Sequence, residues 1–376
     1  MSLHHSDEPH QLAGGEAMRP FFEKAYQAKL PVNVQLQITD LCNLRCEHCY
    51  NSTEHKHKEL SFEEIDNLLG QLKKAGALYL CLTGGEPTLH PRFFDIARAV
   101  RNHGLVLEVI TNATLLRDEH YALFHELKPN YVAVSLHGIQ RASHEALTGI
   151  SGSFEKTKRA IERLHAEKLP VQLRIPITRY NALEVDDLLM YAEALDIGYR
   201  FDCNITYRED GDPTSTSTRA DLSVIRGVYE RNWANRLQKG NLPATGLRET
   251  MEGEHLCAAG HNFCYIDSTG TVHPCPSFQR PAGNVREQSF EEIWYGSEFL
   301  KRLRAVTFGD IKGCKGCGDM EFCNFCPGDA RLEGEDKADG FANYQRACRN
   351  AALNREAYEA VSNGQFADSS PVAAKA

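Results

Sequence analysis

The chain has 376 residues, a net charge of −9 and a pI near 6.0, enough for one large and one small domain. The acidic balance argues against binding to a nucleic-acid backbone or an anionic membrane surface, and no apolar run is as long as a membrane span. Thirteen cysteines indicate metal ligation in a reducing compartment rather than a disulfide framework, so we expect a cytoplasmic protein.

The first half of the chain alternates short apolar runs with amphipathic segments. The apolar runs predict strands at 34–38, 78–82, 105–110, 131–136, 171–177 and, less regularly, 199–206. The segments between them predict helices near 61–75, 92–103, 116–126, 153–167 and 183–195. The first of these helices starts with a capping box, Ser61 and Glu64. Each crossover is long enough to hold a helix, so the strands are predicted to be parallel, in an α/β fold with a partial (β/α)6 TIM-type barrel.

Chemically distinctive residues follow the first four predicted strands, where the active-site rim of such a barrel lies. A CxxxCxxC loop follows the first strand and a glycine pair the second; the residues are Cys42, Cys46, Cys49, Gly84, Gly85, Glu86, Pro87, Asn112 and Ser135. Three thiolates leave one iron of a four-iron cluster open, and an open iron can bind a small molecule. The glycine pair lets the backbone approach a ligand. Taken alone, the triplet also fits a zinc loop, and Asn112 and Ser135 fit ordinary turns.

The carboxyl-terminal third predicts a second metal-binding region. Eight further cysteines occur within 92 positions, at Cys257, Cys264, Cys275, Cys314, Cys317, Cys323, Cys326 and Cys348. Zinc knuckles are the alternative, because CxxC pairs are typical of zinc sites.

These patterns predict five segments. They are a disordered leader at 1–17, the barrel at 18–215, a helical bridge at 216–256 with a helix near 219–238, the cysteine-rich domain at 257–349, and a C-terminal helix with a disordered tail at 350–376. Four residues at or after the sixth strand are candidates for substrate contact or for a catalytic base: Asp202, Tyr207, Asp210 and Asp212. A solvated, turn-forming acidic loop is the alternative for each of them.

The CxxxCxxC loop followed by Gly84–Pro87 resembles the radical S-adenosylmethionine (radical SAM) superfamily. The later cysteines resemble its SPASM extension, although Cys323 and Cys326 are spaced CxxC where that family often has CxxxC. The resemblance implies S-adenosylmethionine and three [4Fe-4S] clusters. It assigns the SAM-binding cluster to Cys42, Cys46 and Cys49, the first auxiliary cluster to Cys257, Cys264, Cys275 and Cys326, and the second to Cys314, Cys317, Cys323 and Cys348. It further implies cofactor contacts by His48, Gly84–Pro87, Asn112 and Ser135.

The resemblance also implies a reaction. In this superfamily a 5′-deoxyadenosyl radical abstracts a substrate hydrogen, and members with two auxiliary clusters mostly modify peptides. We therefore expect a peptide maturase that forms a cross-link, an epimer or an oxidised residue, reduced by flavodoxin or ferredoxin and served by a separate leader-recognition protein. Pro276 stands where sulfatase maturases carry an aspartate, which argues against that subtype. The alternatives are a small-molecule dehydrogenase or haem-related maturase, and a non-catalytic zinc-binding scaffold.

Overall fold

The computed structural model describes residues 15–52, 58–238 and 252–365. The predicted leader and tail lie outside these residues except for 15–17, which belong to the first helix, and 363–365. The strands are β1 Asn33–Gln37, β2 Tyr79–Thr83, β3 Val106–Thr111, β4 Tyr131–Ser135, β5 Val171–Pro176, β6 Gly198–Asp202, β7 Phe263–Ile266, β8 Thr271–His273 and β9 Gly283–Asn284. The helices are α1 Gly15–Gln27, α2 Phe62–Lys74, α3 Phe93–Asn102, α4 Asp118–Leu127, α5 Arg141–Thr148, α6 Ser153–Ala166, α7 Val185–Ala194, α8 Leu222–Gln238, α9 Phe290–Gly296, α10 Glu298–Ala305, α11 Pro327–Glu333 and α12 Gln345–Ser362.

The predicted partial barrel is confirmed. The six strands β1 to β6 are all parallel and lie side by side in chain order. Each is followed by a crossover with at least one helix that covers the sheet, and buried aliphatic side chains from strands and helices form one main core. The capping box before α2 forms as predicted, because Ser61 Oγ accepts from Glu64 N and the Glu64 carboxylate accepts from Ser61 N.

A seventh parallel strand extends this sheet on the other side of β1. Strand β7 comes from the cysteine-rich region and pairs in register with β1, Val34 opposite Cys264. Strands β8 and β9 then continue the sheet in antiparallel fashion. We did not predict β7, because a four-residue strand gives too short an apolar run to recognise. The cysteine-rich region is thus joined to the barrel through backbone hydrogen bonds.

Three smaller cores complete the described part of the carboxyl-terminal third. One contains Phe308, Met320 and Phe325 and packs beside several cysteines. A second contains Phe278, Phe299 and Leu303. The third joins Trp233 of α8 to α12, where Trp233 Nε1 donates to Asn354 Oδ1 at 2.8 Å. The predicted bridging helix is therefore fixed against the last helix of the chain. Within the described ranges, no helix is long and apolar enough to cross a membrane.

Candidate active site and cluster-binding cysteines

The CxxxCxxC loop brings its three thiols together at the carboxyl end of β1. Burial raises the pKa of Cys42 to about 11, and it raises the pKa of Cys46 well above its usual range. The nearby Cys42 and Cys49 raise the pKa of Cys46 further. The raised pKa values mean that these thiols lose their protons only with difficulty. A bound cationic group such as iron would stabilise the thiolate form. The donor set therefore fits an iron–sulfur cluster.

Glu86 ties this loop to the neighbouring strands. Its side chain is completely buried, and burial raises its pKa. Oε1 accepts from Thr111 Oγ1 at 2.7 Å and from Thr88 Oγ1 at 2.6 Å, and Oε2 accepts from Asn112 N at 2.7 Å. Hydrogen-bond donors of the protein occupy both carboxylate oxygens, so the Glu86 side chain holds the barrel rim in place. The backbone of Gly84–Pro87 remains available for contact with a cofactor.

Gly84 and Gly85 lie against the backbone of the cysteine loop, and the approach of their own backbone to a cofactor stays a prediction. A Cβ atom on Gly84 would lie 2.7 Å from the carbonyl oxygen of Thr39, and one on Gly85 would lie 2.5 Å from that of Asp40. Gly85 N also donates to Thr39 O at 2.8 Å. The absent side chains make room for the backbone of the cysteine loop, so the glycine pair is required by loop packing.

A row of three histidine rings, of which His137 and His144 are buried, lies at the cysteine loop. The centroids of His48 and His137 are 5.0 Å apart, and those of His137 and His144 are 5.3 Å apart. Burial lowers the pKa of His48 to about 4, assisted by the charge of Arg208, so its ring is neutral near pH 7. The His137 Nε2 atom lies 4.0 Å from Cys46 Sγ. Of these three residues, only His48 was predicted to contact the cofactor. The sequence does not show which distant histidine rings pack beside it.

Asn112 and Ser135 lie at the carboxyl ends of β3 and β4, as predicted. Asn112 Nδ2 donates to Asn43 Oδ1 at 3.0 Å and is 4.0 Å from Cys42 Sγ. Ser135 pairs with Arg174 in the sheet and is partly exposed. Both side chains are therefore on the same rim as the cysteine loop, and their contact with a cofactor remains a prediction.

A cavity lies between the barrel rim and the cysteine-rich region. Its lining comes from both sides: Tyr50, Thr206, Tyr207 and Glu209 from the barrel, and Pro276, Ser277, Gln279, Arg331 and Leu332 from the other region. Gln279 Nε2 and Arg331 Nε are buried and have no hydrogen-bond partner among the described residues. The cavity therefore offers two unused donors to a ligand.

Of the four candidate catalytic residues, only Tyr207 lines this cavity. Asp202 is exposed, and its Oδ1 accepts from Asn204 N at 2.8 Å. Asp210 is exposed and accepts from the backbone N of Asp212 at 2.9 Å, and Asp212 in turn accepts from Thr214 N at 3.0 Å. These three aspartates stabilise the turn after β6, and their contact with a substrate stays a prediction. Glu209, Gln279 and Arg331 were missed, because no motif marks them.

One of the two predicted auxiliary sets surrounds a second cavity. This cavity is lined by Cys314, Cys317, Cys323 and Cys348 together with apolar side chains. The pKa of Cys323 is raised to about 12, chiefly by burial and then by the other three thiols. The four cysteines that the resemblance grouped thus line one cavity, and their role as cluster ligands stays a prediction.

The other set converges only in part. The pKa of Cys326 is raised well above its usual range, and Cys275 and Cys257 both contribute to the shift. Cys264 is different: it is fully buried in β7 among the aliphatic side chains of the main core, and only Arg304 acts on its pKa beside burial. Alternation along the strand places it on the face opposite Tyr265. The assignment of Cys264 to this set stays a prediction, and the packing of its side chain in the main core argues against it.

No three His, Cys, Asp or Glu side chains in the described part of the chain are close enough to hold a single metal ion. A cubane is ligated at its four corners, so its thiolates stand farther apart than the ligands of one zinc ion. The cysteine groups therefore fit clusters better than zinc.

Comparison with known families identifies the two regions. A model of the radical SAM superfamily matches residues 36–192, and a model of an iron-sulfur cluster-binding domain, SPASM, matches residues 257–318. The chain therefore carries a radical SAM domain. It is an enzyme that carries a SPASM domain, and the two domains imply iron–sulfur clusters and S-adenosylmethionine. The alternative of a non-catalytic zinc scaffold is therefore wrong.

Curated relatives and solved structures agree on this architecture. The radical SAM/SPASM chain is 28% identical over 323 residues to the AdoMet-dependent heme synthase of Methanosarcina barkeri, covering 79% of this chain and 90% of the relative. It is 26% identical over 317 residues to the mycofactocin maturase MftC of Mycobacterium tuberculosis, covering 80% and 79%. The structure of Streptococcus suis SuiB bound to its precursor peptide SuiA superposes with a TM-score of 0.67 at 17% identity, covering 88% and 79%. The last likeness establishes the shared fold.

Proposed function

We propose that this radical SAM/SPASM enzyme is a peptide maturase. When bound, the cluster and S-adenosylmethionine supply a 5′-deoxyadenosyl radical that abstracts a substrate hydrogen. Cys42, Cys46 and Cys49 hold the cluster, and the backbone of Gly84–Pro87, together with His48, Asn112 and Ser135, binds S-adenosylmethionine. Cys257, Cys275 and Cys326 hold a first auxiliary cluster and Cys314, Cys317, Cys323 and Cys348 a second, which gives three [4Fe-4S] clusters in all.

The observation that carries the proposal is the position of the cavity between the two domains. Tyr50, directly after the last cysteine of the loop, forms part of its barrel wall, and Pro276, directly after Cys275, forms part of the opposite wall. A substrate held there lies between the radical source and the first auxiliary group. The similarity to MftC, a maturase, supports a peptide as the occupant. A flavodoxin or ferredoxin would supply electrons, and a separate protein would present the peptide leader.

A haem-related tetrapyrrole is the second candidate substrate. This chain matches 90% of the length of the relative named a heme synthase and 79% of the length of MftC. The likeness to the heme synthase therefore extends over nearly all of that relative. The unused donors of Gln279 and Arg331 fit a carboxylate from either substrate class.

Co-expression separates the two candidates. The enzyme is produced together with peptides encoded by short open reading frames beside its gene, and each peptide is then analysed by mass spectrometry. A peptide that loses hydrogen only with an intact Cys42, Cys46 and Cys49 loop supports the proposal. A deuterium label moving from that peptide into 5′-deoxyadenosine identifies the hydrogen abstracted. Unchanged peptides, together with S-adenosylmethionine cleavage stimulated by a carboxylated tetrapyrrole, would overturn it in favour of the second candidate.

A further inference from the structure

Asp329 presents an unused carboxylate oxygen inside the SPASM domain. The residue lies in the first turn of α11, three positions after Cys326, and is completely buried. Its Oδ2 atom accepts from Asn204 Nδ2 at 2.6 Å, from Arg346 NH2 at 2.9 Å and from Tyr344 OH at 3.3 Å. Its Oδ1 atom is also buried but has no hydrogen-bond partner among the described residues. A buried, unpaired carboxylate oxygen is unfavourable unless a ligand satisfies it.

The surroundings of Asp329 indicate which ligand this is. The backbone N–H of Asp329 donates to Cys326 Sγ, and its carboxylate is the neighbouring charge that acts most strongly on that thiol. The same carboxylate acts on Cys275. Cys257, the third cysteine of the set, acts on both thiols. The Asp329 carboxylate therefore lies beside the group formed by these three cysteines.

A four-iron cluster has four corners, and the structure supplies three cysteines to this one. Cys264, the fourth ligand expected from the sequence, lies in the main hydrophobic core instead. Carboxylate oxygen is an established ligand of iron in proteins. We propose that Asp329 Oδ1 is the fourth protein ligand of the cluster held by Cys257, Cys275 and Cys326. This assignment rests on the proposed presence of that cluster.

Arg346 holds the carboxylate in the orientation that such ligation needs. Its guanidinium bonds to Asp329 Oδ2 and also to both carboxylate oxygens of Glu333. Arg219 pairs with Glu333 from the other side, so two cations and two carboxylates form one buried network. With Oδ2 fixed by three donors, Oδ1 alone is left for a metal. Asp329 would therefore bind iron through one carboxylate oxygen, Oδ1.

Mössbauer spectroscopy on the reconstituted full chain tests the assignment. In the Cys42→Ala, Cys46→Ala, Cys49→Ala background, only the two auxiliary clusters remain, and about one iron in eight should show oxygen ligation. Asp329→Asn should abolish that component and make about one iron per chain removable by a chelator, leaving a three-iron signal in electron paramagnetic resonance. Asp329→Cys should restore the full iron content with an all-sulfur spectrum.

Glu333→Gln is the matched control. It removes the other carboxylate that bonds to Arg346 and should leave the oxygen-ligated component in place. An unchanged spectrum and iron content in Asp329→Asn, or an all-sulfur spectrum before any change to Asp329, would overturn the proposal. Cys275→Ser tests the cluster itself, because full iron retention in that variant refutes the underlying cluster and not the fourth ligand.

Discussion

The Nε2 atom of His137 lies 4.0 Å from the Sγ atom of Cys46, although 91 residues separate them in the chain. His137 follows strand β4 by two residues, and Cys46 lies in the loop after β1. As a cluster ligand, the Cys46 thiolate could only accept a hydrogen bond, and the neutral imidazole of His137 would then donate its Nε2–H to it. Such donors are among the features that set the reduction potential of an iron–sulfur cluster.

His137→Phe should therefore lower the midpoint potential of the cluster on the barrel loop, because the reduced, more negative state loses a hydrogen bond. A redox titration followed by electron paramagnetic resonance, without S-adenosylmethionine, measures the shift. His144→Phe is the control, since that ring lies one step farther from Cys46. Equal potentials in wild type and His137→Phe would contradict the prediction.

Cys264 and Cys275 should respond differently to substitution. Cys275→Ser should remove most of the iron of the first auxiliary cluster, whereas Cys264→Ala should keep the iron and cost only about 1–2 kcal/mol of stability, as expected for a small truncation in a core. Iron analysis and thermal unfolding under anaerobic conditions give both values. Iron loss in Cys264→Ala would restore the ligand set that the sequence suggested.

Cys348→Ala tests the second auxiliary cluster. The variant should lose about one iron per chain, because one corner of that cluster has no other cysteine. Uncoupled cleavage of S-adenosylmethionine should continue, since the barrel site is intact, while product formation should fall sharply. Assays of 5′-deoxyadenosine and product on the same samples decide this. The control is Cys203→Ala, because Cys203 is a partly buried thiol outside the three cysteine groups. An undiminished product yield in Cys348→Ala would show that Cys348 is dispensable.

Arg331→Ala and Gln279→Ala should weaken substrate binding in the cavity between the domains. Each removes a buried donor, so we expect KM for the substrate identified by co-expression to rise about tenfold, or ~1.4 kcal/mol. Cleavage of S-adenosylmethionine without substrate should not change. Arg302→Ala is the control, because Arg302 is more exposed and pairs with Asp339. An unaltered KM in both cavity variants would place the substrate elsewhere.

Gly85→Ala should destabilise the protein by about 1–3 kcal/mol, because a Cβ atom there meets the backbone of residues 40 and 41 and the loops must separate. Thermal unfolding of the metal-free chain measures this. Gly296→Ala is a matched control in α9 with no heavy atom within 4 Å of its Cβ position. If both variants unfold at the same temperature, the close packing of the two loops does not contribute to stability.

Local pattern determined much of the architecture. Apolar runs and capping signals predicted β1 to β6, α2 and α8, because these elements depend on residues near one another in sequence. The triplet Cys42, Cys46 and Cys49 was recognisable for the same reason, because it lies in one short segment. The grouping of Cys314, Cys317, Cys323 and Cys348 came from the resemblance to SPASM domains, and the role of both sets as ligands stays a prediction.

Only the tertiary structure decided the contacts between distant segments. It placed Cys264 in the core by pairing β7 with β1, and it brought Asp329 to Cys326 and Cys275 while leaving one carboxylate oxygen unpaired. It also assembled the cavity from Tyr50 and Arg331, 281 positions apart. Spacing in a sequence cannot report which face of a strand a thiol occupies or which buried donor lacks a partner, because both depend on how the sheet and helices pack.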